Sequence, residues 1–220
     1  MNWNIVKGAC LALLPVAGTL KAQEKPNIVV ILADDLASNE ISCYGGKNLK
    51  TPNIDRIAEE GIRFTNNFAS CAMSVPIRAS LYTGLYPARH GSYQNHKISY
   101  SDIKSVTYYL PQAGYRVGRA GKTHTVPKSV FNFEKVPGFE ENCIAVTADY
   151  TVDGIRDFMR QDSPFCLFVC STLSHAPWTC GNKDEFDADK VILPPNCVDN
   201  KGTRELFRRL LAEIRALDNQ

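Results

Sequence analysis

Two uninterrupted apolar runs mark the chain: Asn27 to Leu32 reads NIVVIL, and Phe165 to Cys170 reads FCLFVC. Short apolar runs rich in β-branched or aromatic residues suit strands covered on both faces, as in a parallel sheet. Tyr115 to Ala120 predicts a third strand and Ile62 to Phe68 a fourth. Elsewhere the apolar period lengthens. Thr51-Pro52 opens a helix as N-cap and first-turn proline, Ile54, Ile57 and Ala58 form its stripe, and Gly61 closes it. Ser74 to Tyr82 predicts a second helix closed by Gly84. Ile103, Val106 and Leu110 predict a third, which Pro111 kinks or ends. Asp149 to Arg160 predicts a fourth, with Val152, Ile155 and Met159 on one face. Residues 178 to 203 read as loop. From Thr203 to Leu217, the residues Leu206, Leu210, Ile214 and Leu217 recur at helical spacing.

Strands alternating with helices predict an α/β fold with a mainly parallel sheet flanked by helices. In such sheets ligands bind beyond the carboxyl ends of the strands. Three polar groups fall there: Asp34-Asp35, Lys122 with His124, and His175. They are far apart in sequence, and the architecture brings them to one rim.

The start of the chain has a different pattern. Lys7 precedes an apolar run from Ala9 to Val16, extended to Leu20 and followed by Lys21-Ala22-Gln23. Residues 1–22 read as a secretory signal peptide, which predicts a secreted or periplasmic protein. The run, broken by Pro15 and Gly18, is too short to predict a membrane span. At the other end the last helix stops at Gln220 with no cap, so the domain over 23–220 is expected to be truncated at its C-terminus.

Composition narrows the function. The chain is 44% hydrophobic with a formal charge of +2, and it has no dense Lys/Arg run, which excludes an electrostatic footprint for nucleic acid. Of eight cysteines, Cys10 lies in the predicted signal. The seven others include no CxxC pair and no zinc-like spacing, and Cys166 and Cys170 read as small core residues.

The adjacent carboxylates of Asp34 and Asp35 repel, and leaving both ionised at a sheet rim calls for a cation such as Ca²⁺ or Mg²⁺; a capped turn is the plainer alternative. Ser74-Val75-Pro76-Ile77-Arg78 is a helix start. Its free N–H groups and positive dipole end suit an anion, which Arg78, one turn on, could also reach.

Ser74-x-Pro-x-Arg78, continuing Ala79-Ser80-Leu81-Tyr82-Thr83-Gly84, resembles the sulfatase signature Cys/Ser-x-Pro-x-Arg with its Thr-Gly ending. The segments KPNIVVILADD, TPNIDRIAEEGIRF, Gly114-Tyr115-Arg116 leading into GKTH, and HAPW are similar to the family too, from Lys25 to Gln220. The stretches TGLYPARHGSYQNH and GKTHTVP resemble its heparan N-sulfatase branch. The resemblance implies an alkaline-phosphatase-like fold and hydrolysis of sulfate esters, with sulfated carbohydrate or a sulfated small molecule as substrate. It implies that Ser74 is oxidised to formylglycine by a serine-type radical maturase. The hydrated aldehyde offers one hydroxyl to attack sulfur and a second to expel sulfate. It further implies that Asp34, Asp35 and position 74 hold Ca²⁺ and that Arg78 steadies the hydrate. Lys122 would bind sulfate oxygens, His124 deprotonate the hydrate, and His175 bind sulfate or protonate the leaving oxygen. His90 and His96 are read as structural or surface residues. The family's later Asp and Asn or His metal ligands and its late sulfate-binding lysine have no counterpart, and Thr123 stands where Trp is common. Two other readings stay open. One is a phosphatase or phosphotransferase of the same superfamily using Ser74 directly. The other is an inactive, truncated chain that binds sulfated glycans.

Overall fold

The computed structural model describes residues 25–220, so the predicted signal peptide lies outside the described residues. Four strands form one parallel sheet: β1 (Ile28–Leu32), β2 (Arg116–Gly121), β3 (Glu134–Val136) and β4 (Phe165–Cys170), in the order β1-β4-β2-β3. The helices are α1 (Pro52–Glu60), α2 (Ser74–Thr83), α3 (Pro87–His90), α4 (Val106–Gln112), α5 (Asp153–Met159) and α6 (Lys201–Asn219). The predicted α/β class is the observed one.

Side-chain alternation along the strands separates two cores. On one face Cys166, Phe168 and Cys170 of β4 and Val117 of β2 pack with Ala79 and Tyr82 of α2, and with Phe131 and Phe133. On the other, Phe165 and Leu167 meet Ala120, Val136 and Phe158 of α5. A third cluster joins α6, through Phe207, Leu211 and Ile214, to Leu49, Phe186 and Val191. No helix among the described residues is long and apolar enough to cross a membrane.

Several predicted details are corrected. Ile62 to Phe68 forms no strand: Ile62, Phe64 and Phe68 are all exposed, and no strand edge among the described residues pairs with them. β-propensity alone does not make a strand without a partner. β4 is covered on both faces, but β1 is not; Val29 and Ile31 point outward and are exposed. The strand β3 carries only one buried residue, Val136, and shows no apolar run to predict it from. Thr51 precedes α1 as predicted but does not cap it, because its hydroxyl bonds Asp55 and Ser42 instead. Gly61 ends α1 without entering the left-handed conformation. The buried stripe of α6 runs through Phe207, Leu211, Ile214 and Leu217, with Leu206 exposed. The fourth predicted helix is shorter, starting at Asp153.

Gly121 sets the exit from β2. Its φ is +79°, and a Cβ there would lie 2.1 Å from the Cys170 carbonyl oxygen. The same carbonyl accepts the Lys122 N–H at 2.9 Å, so the close approach seats the next residue at the rim. Gly121→Ala is predicted to lower stability by at least about 2 kcal/mol. Gly84→Ala, at φ +70° but with open space around its Cβ, is predicted to lose only about 1 kcal/mol. Urea midpoints at unchanged slope measure both; equal losses would remove the packing explanation.

Candidate active site

The rim beyond the carboxyl ends of β1, β2 and β4 gathers the polar groups. Past the last ladder residues, β1 and β4 stay paired: Ser171 N–H donates to Leu32 O at 2.9 Å, Asp34 N–H to Leu173 O at 2.8 Å, and Ser174 N–H to Asp34 O at 2.8 Å. These bonds hold the Asp34 backbone against the segment that leads to His175.

Asp34 is 3% exposed, and its carboxylate meets two cations. Arg78 Nη2 donates to Oδ1 at 3.2 Å, and Lys122 Nζ bonds Oδ2. Arg78 comes from α2 and Lys122 from the exit of β2, so the carboxylate ties three segments together. Lys122 is itself 1% exposed, and its ammonium faces Asp34. Asp35 differs completely. It adopts φ +57°, a conformation that Asp tolerates better than most residues, and it is exposed. The two adjacent carboxylates therefore serve one buried ion cluster and one solvent-facing position.

Ser74 is the first residue of α2, with Met73 as the N-cap. One turn separates Ser74 from Arg78 on the same helix face, and Arg78 Nε donates to Ser74 Oγ at 3.3 Å. His124 Nδ1 lies 3.0 Å from the same oxygen. The Val75 N–H is taken by Asn95 Oδ1 at 3.0 Å, which anchors the 92–97 loop to the start of α2. Arg78 Nη1 is buried without a hydrogen-bond partner. A buried guanidinium donor left unpaired is costly.

Lys122 and His124, two residues apart, do not project together as they would from extended chain. His124 adopts φ +46°, so the two side chains diverge, one to Asp34 and the other to Ser74. His175 is half-buried; its Nε2 lies 3.7 Å from Asp35 Oδ2, and its Nδ1 is 2.6 Å from Ala176 O. All the residues predicted from sequence thus reach this rim.

His96 was read from sequence as structural or surface, and its ring lies 5.6 Å from that of His124, centroid to centroid. It is exposed at φ +66°. No periodicity marks it; the only signal in the sequence is its place in the TGLYPARHGSYQNH stretch. His90 does prove structural. It is fully buried, accepts the Ser92 N–H on Nδ1 at 3.1 Å and lies 3.1 Å from Ser80 Oγ through Nε2.

Burial holds the His124 imidazole below the ordinary histidine value, and the neighbouring charges of Lys122, His96 and Arg78 push the same way against Asp34. A neutral His124 is a proton acceptor facing the Ser74 hydroxyl.

A cleft of about 380 Å³ opens between the end of β1 and α2, with Asp34, Asp35, Ser74, Met73, Ile77 and Arg78 in its wall. The two carboxylates and the oxygen at position 74 are hard donors, of the type calcium takes six to eight of. The donor chemistry fits such an ion. A cation at this corner would share Asp34 with Lys122 and Arg78.

The family model described as Sulfatase matches residues 26–191. An ulvan-active sulfatase of Formosa agariphila is 38% identical over 161 residues, covering 70% of this chain and 31% of its own length. The N-sulphoglucosamine sulphohydrolase of Homo sapiens is 34% identical over 185 residues, covering 79% and 36%. A solved structure of a protein with its substrate D-glucosamine-2-N,6-O-disulfate superposes at a TM-score of 0.59 with 30% identity, over 70% of this chain and 36% of that one. The chain spans about a third of the length of these curated relatives.

Two predictions arise from this geometry. Asp34→Asn is predicted to lose about 3–5 kcal/mol of stability, because two buried cations are left uncompensated; a urea midpoint close to wild type would show that the ion cluster contributes little. The second concerns His124. Its folded-state proton affinity is depressed, so its contribution is fully present above the unfolded value of about 6.5 and is lost as pH falls through the folded midpoint. Histidine NMR titration is predicted to give His124 a midpoint below that value, with a neutral ring at pH 7.

Proposed function

The chain belongs to the sulfatase family, and from that membership we propose that its rim serves the hydrolysis of sulfate esters on carbohydrate. The observation that carries the proposal is the convergence on one oxygen. Ser74 Oγ sits between Arg78 Nε at 3.3 Å and His124 Nδ1 at 3.0 Å. Several relatives are named for glycan sulfates, among them ulvan and N-sulphoglucosamine, which supports sulfated carbohydrate as the substrate class.

The residues take distinct roles in this reading. Arg78 polarises the oxygen at position 74 through Nε and holds Asp34 through Nη2. His124, kept neutral, accepts the proton of the hydroxyl at position 74 whose loss expels sulfate. His175, with Nε2 towards Asp35, protonates the leaving oxygen. Lys122 neutralises Asp34 from behind and adds positive potential for the anion. Asp34, Asp35 and the oxygen at 74 would hold a calcium ion, which supplies charge for the developing negative oxygens. Formylglycine at 74, made from serine by a radical maturase, supplies an aldehyde hydrate with two hydroxyls in place of one. The Lys7 to Ala22 stretch supports export of the protein.

Coexpression of the chain with a serine-type maturase tests the proposal. The tryptic peptide from Phe64 to Arg78 is predicted to appear lighter by two hydrogens, and to react with a hydrazide probe. An unaltered serine would count against the sulfatase reading and leave phosphoryl transfer by Ser74 itself as the better account.

A further inference from the structure

One side chain at the rim has no part in the proposed chemistry. Cys143 lies in the loop between β3 and α5, remote in sequence from every rim residue, and is half-buried with a free thiol. Its sulfur, a carboxylate oxygen of Asp34 and a ring nitrogen of His175 all lie within 4.8 Å of one another. A thiol, an imidazole and a carboxylate at that spacing are the ligand types of a borderline-soft divalent ion, above all Zn²⁺.

The tautomer of His175 gives a second, independent observation. Nδ1 is 2.6 Å from the carbonyl oxygen of Ala176, to which it can only donate. That bond leaves the lone pair on Nε2, the nitrogen turned towards Asp35. A histidine that ligates a metal commonly donates its other N–H to a backbone carbonyl, which fixes the ring and makes the ligating nitrogen more basic. In the neutral ring Nε2 can therefore bond a metal, and it acts as an acid only when the ring carries a second proton. Asp34 retains lone pairs beside those engaged by Arg78 and Lys122, since each carboxylate oxygen carries two.

We infer that Cys143, His175 and Asp34 form a binding site for a thiophilic divalent cation, Zn²⁺ by preference, and that its occupation excludes calcium from Asp34. On binding, the Cys143 thiol releases its proton to solvent and the thiolate bonds the metal; no redox change is involved. The site needs no modification of Ser74, so it stands or falls apart from the sulfatase reading.

Cobalt(II) titration of the untagged, reduced chain tests it. Wild type is expected to develop a near-ultraviolet thiolate-to-cobalt charge-transfer band, which Zn²⁺ bleaches by displacing cobalt. Cys143→Ser is expected to abolish the band. Cys197→Ser, removing another half-buried thiol, is expected to leave it unchanged. His175→Ala is expected to weaken cobalt binding by more than about tenfold. Far-ultraviolet circular dichroism establishes that each variant is folded. Absence of the band in wild type, its survival in Cys143→Ser, or unaltered affinity in His175→Ala overturns the site.

Discussion

The ion cluster on Asp34 sets the geometry of the whole rim. An ionised carboxylate that is 3% exposed is tolerated only when cations and donors replace the lost water. Here the compensation comes from Arg78, 44 residues away, and Lys122, 88 residues away. Satisfying one charge therefore docks α2 and the exit of β2 against the end of β1. Ser74 is placed as a consequence, because it lies one helical turn before Arg78. The position of Ser74 is thus set by an electrostatic demand made at another strand, and the Asp34 backbone bonds to Leu173 and Ser174 extend the same constraint to the His175 segment.

The cations that answer Asp34 also act on His124. Lys122 and Arg78 both disfavour an imidazolium at His124, with burial as the larger cause. The charges that neutralise Asp34 thus also favour an unprotonated histidine nearby. Asp34 limits the effect, since it opposes the shift at His124. The balance is local and depends on His124 leaving the extended conformation, which turns its ring to Ser74 while Lys122 stays behind.

How much of this was legible follows from what each signal measures. The apolar runs of β1 and β4 gave their strands directly; burial on both faces accounts for the run in β4, whereas β1 leaves Val29 and Ile31 exposed. The Ser74–Arg78 spacing gave a shared helix face, and the Asp34-Asp35, Lys122 and His175 positions at strand ends gave a shared rim. The strand assigned to Ile62–Phe68 failed for the complementary reason: its apolar residues carry propensity, but no edge among the described residues receives them. His96 and Cys143 lie on loops without periodicity, so only the folded chain brings them to the site. The divergence of Lys122 and His124 depends on the positive φ of His124, which side-chain patterning does not encode.

The cysteine spacings show no zinc motif, and that observation is compatible with a metal-binding thiol at the rim. Motif spacing detects sites whose ligands share one loop or helix, where the local chain supplies the geometry. At this rim the sheet supplies it, bringing together residues from positions 34, 143 and 175. The same corner thus offers hard carboxylates on one side and a thiol with an imidazole on the other, with Asp34 common to both. Affinity alone favours the softer partner for such a mixed set, because divalent zinc binds nitrogen and sulfur more strongly than calcium does. If the inferred site takes zinc, the ion held at Asp34 would depend on availability and on the redox state of Cys143. Oxidising that thiol would remove the soft ligand without touching either aspartate, and would leave only hard donors at the corner.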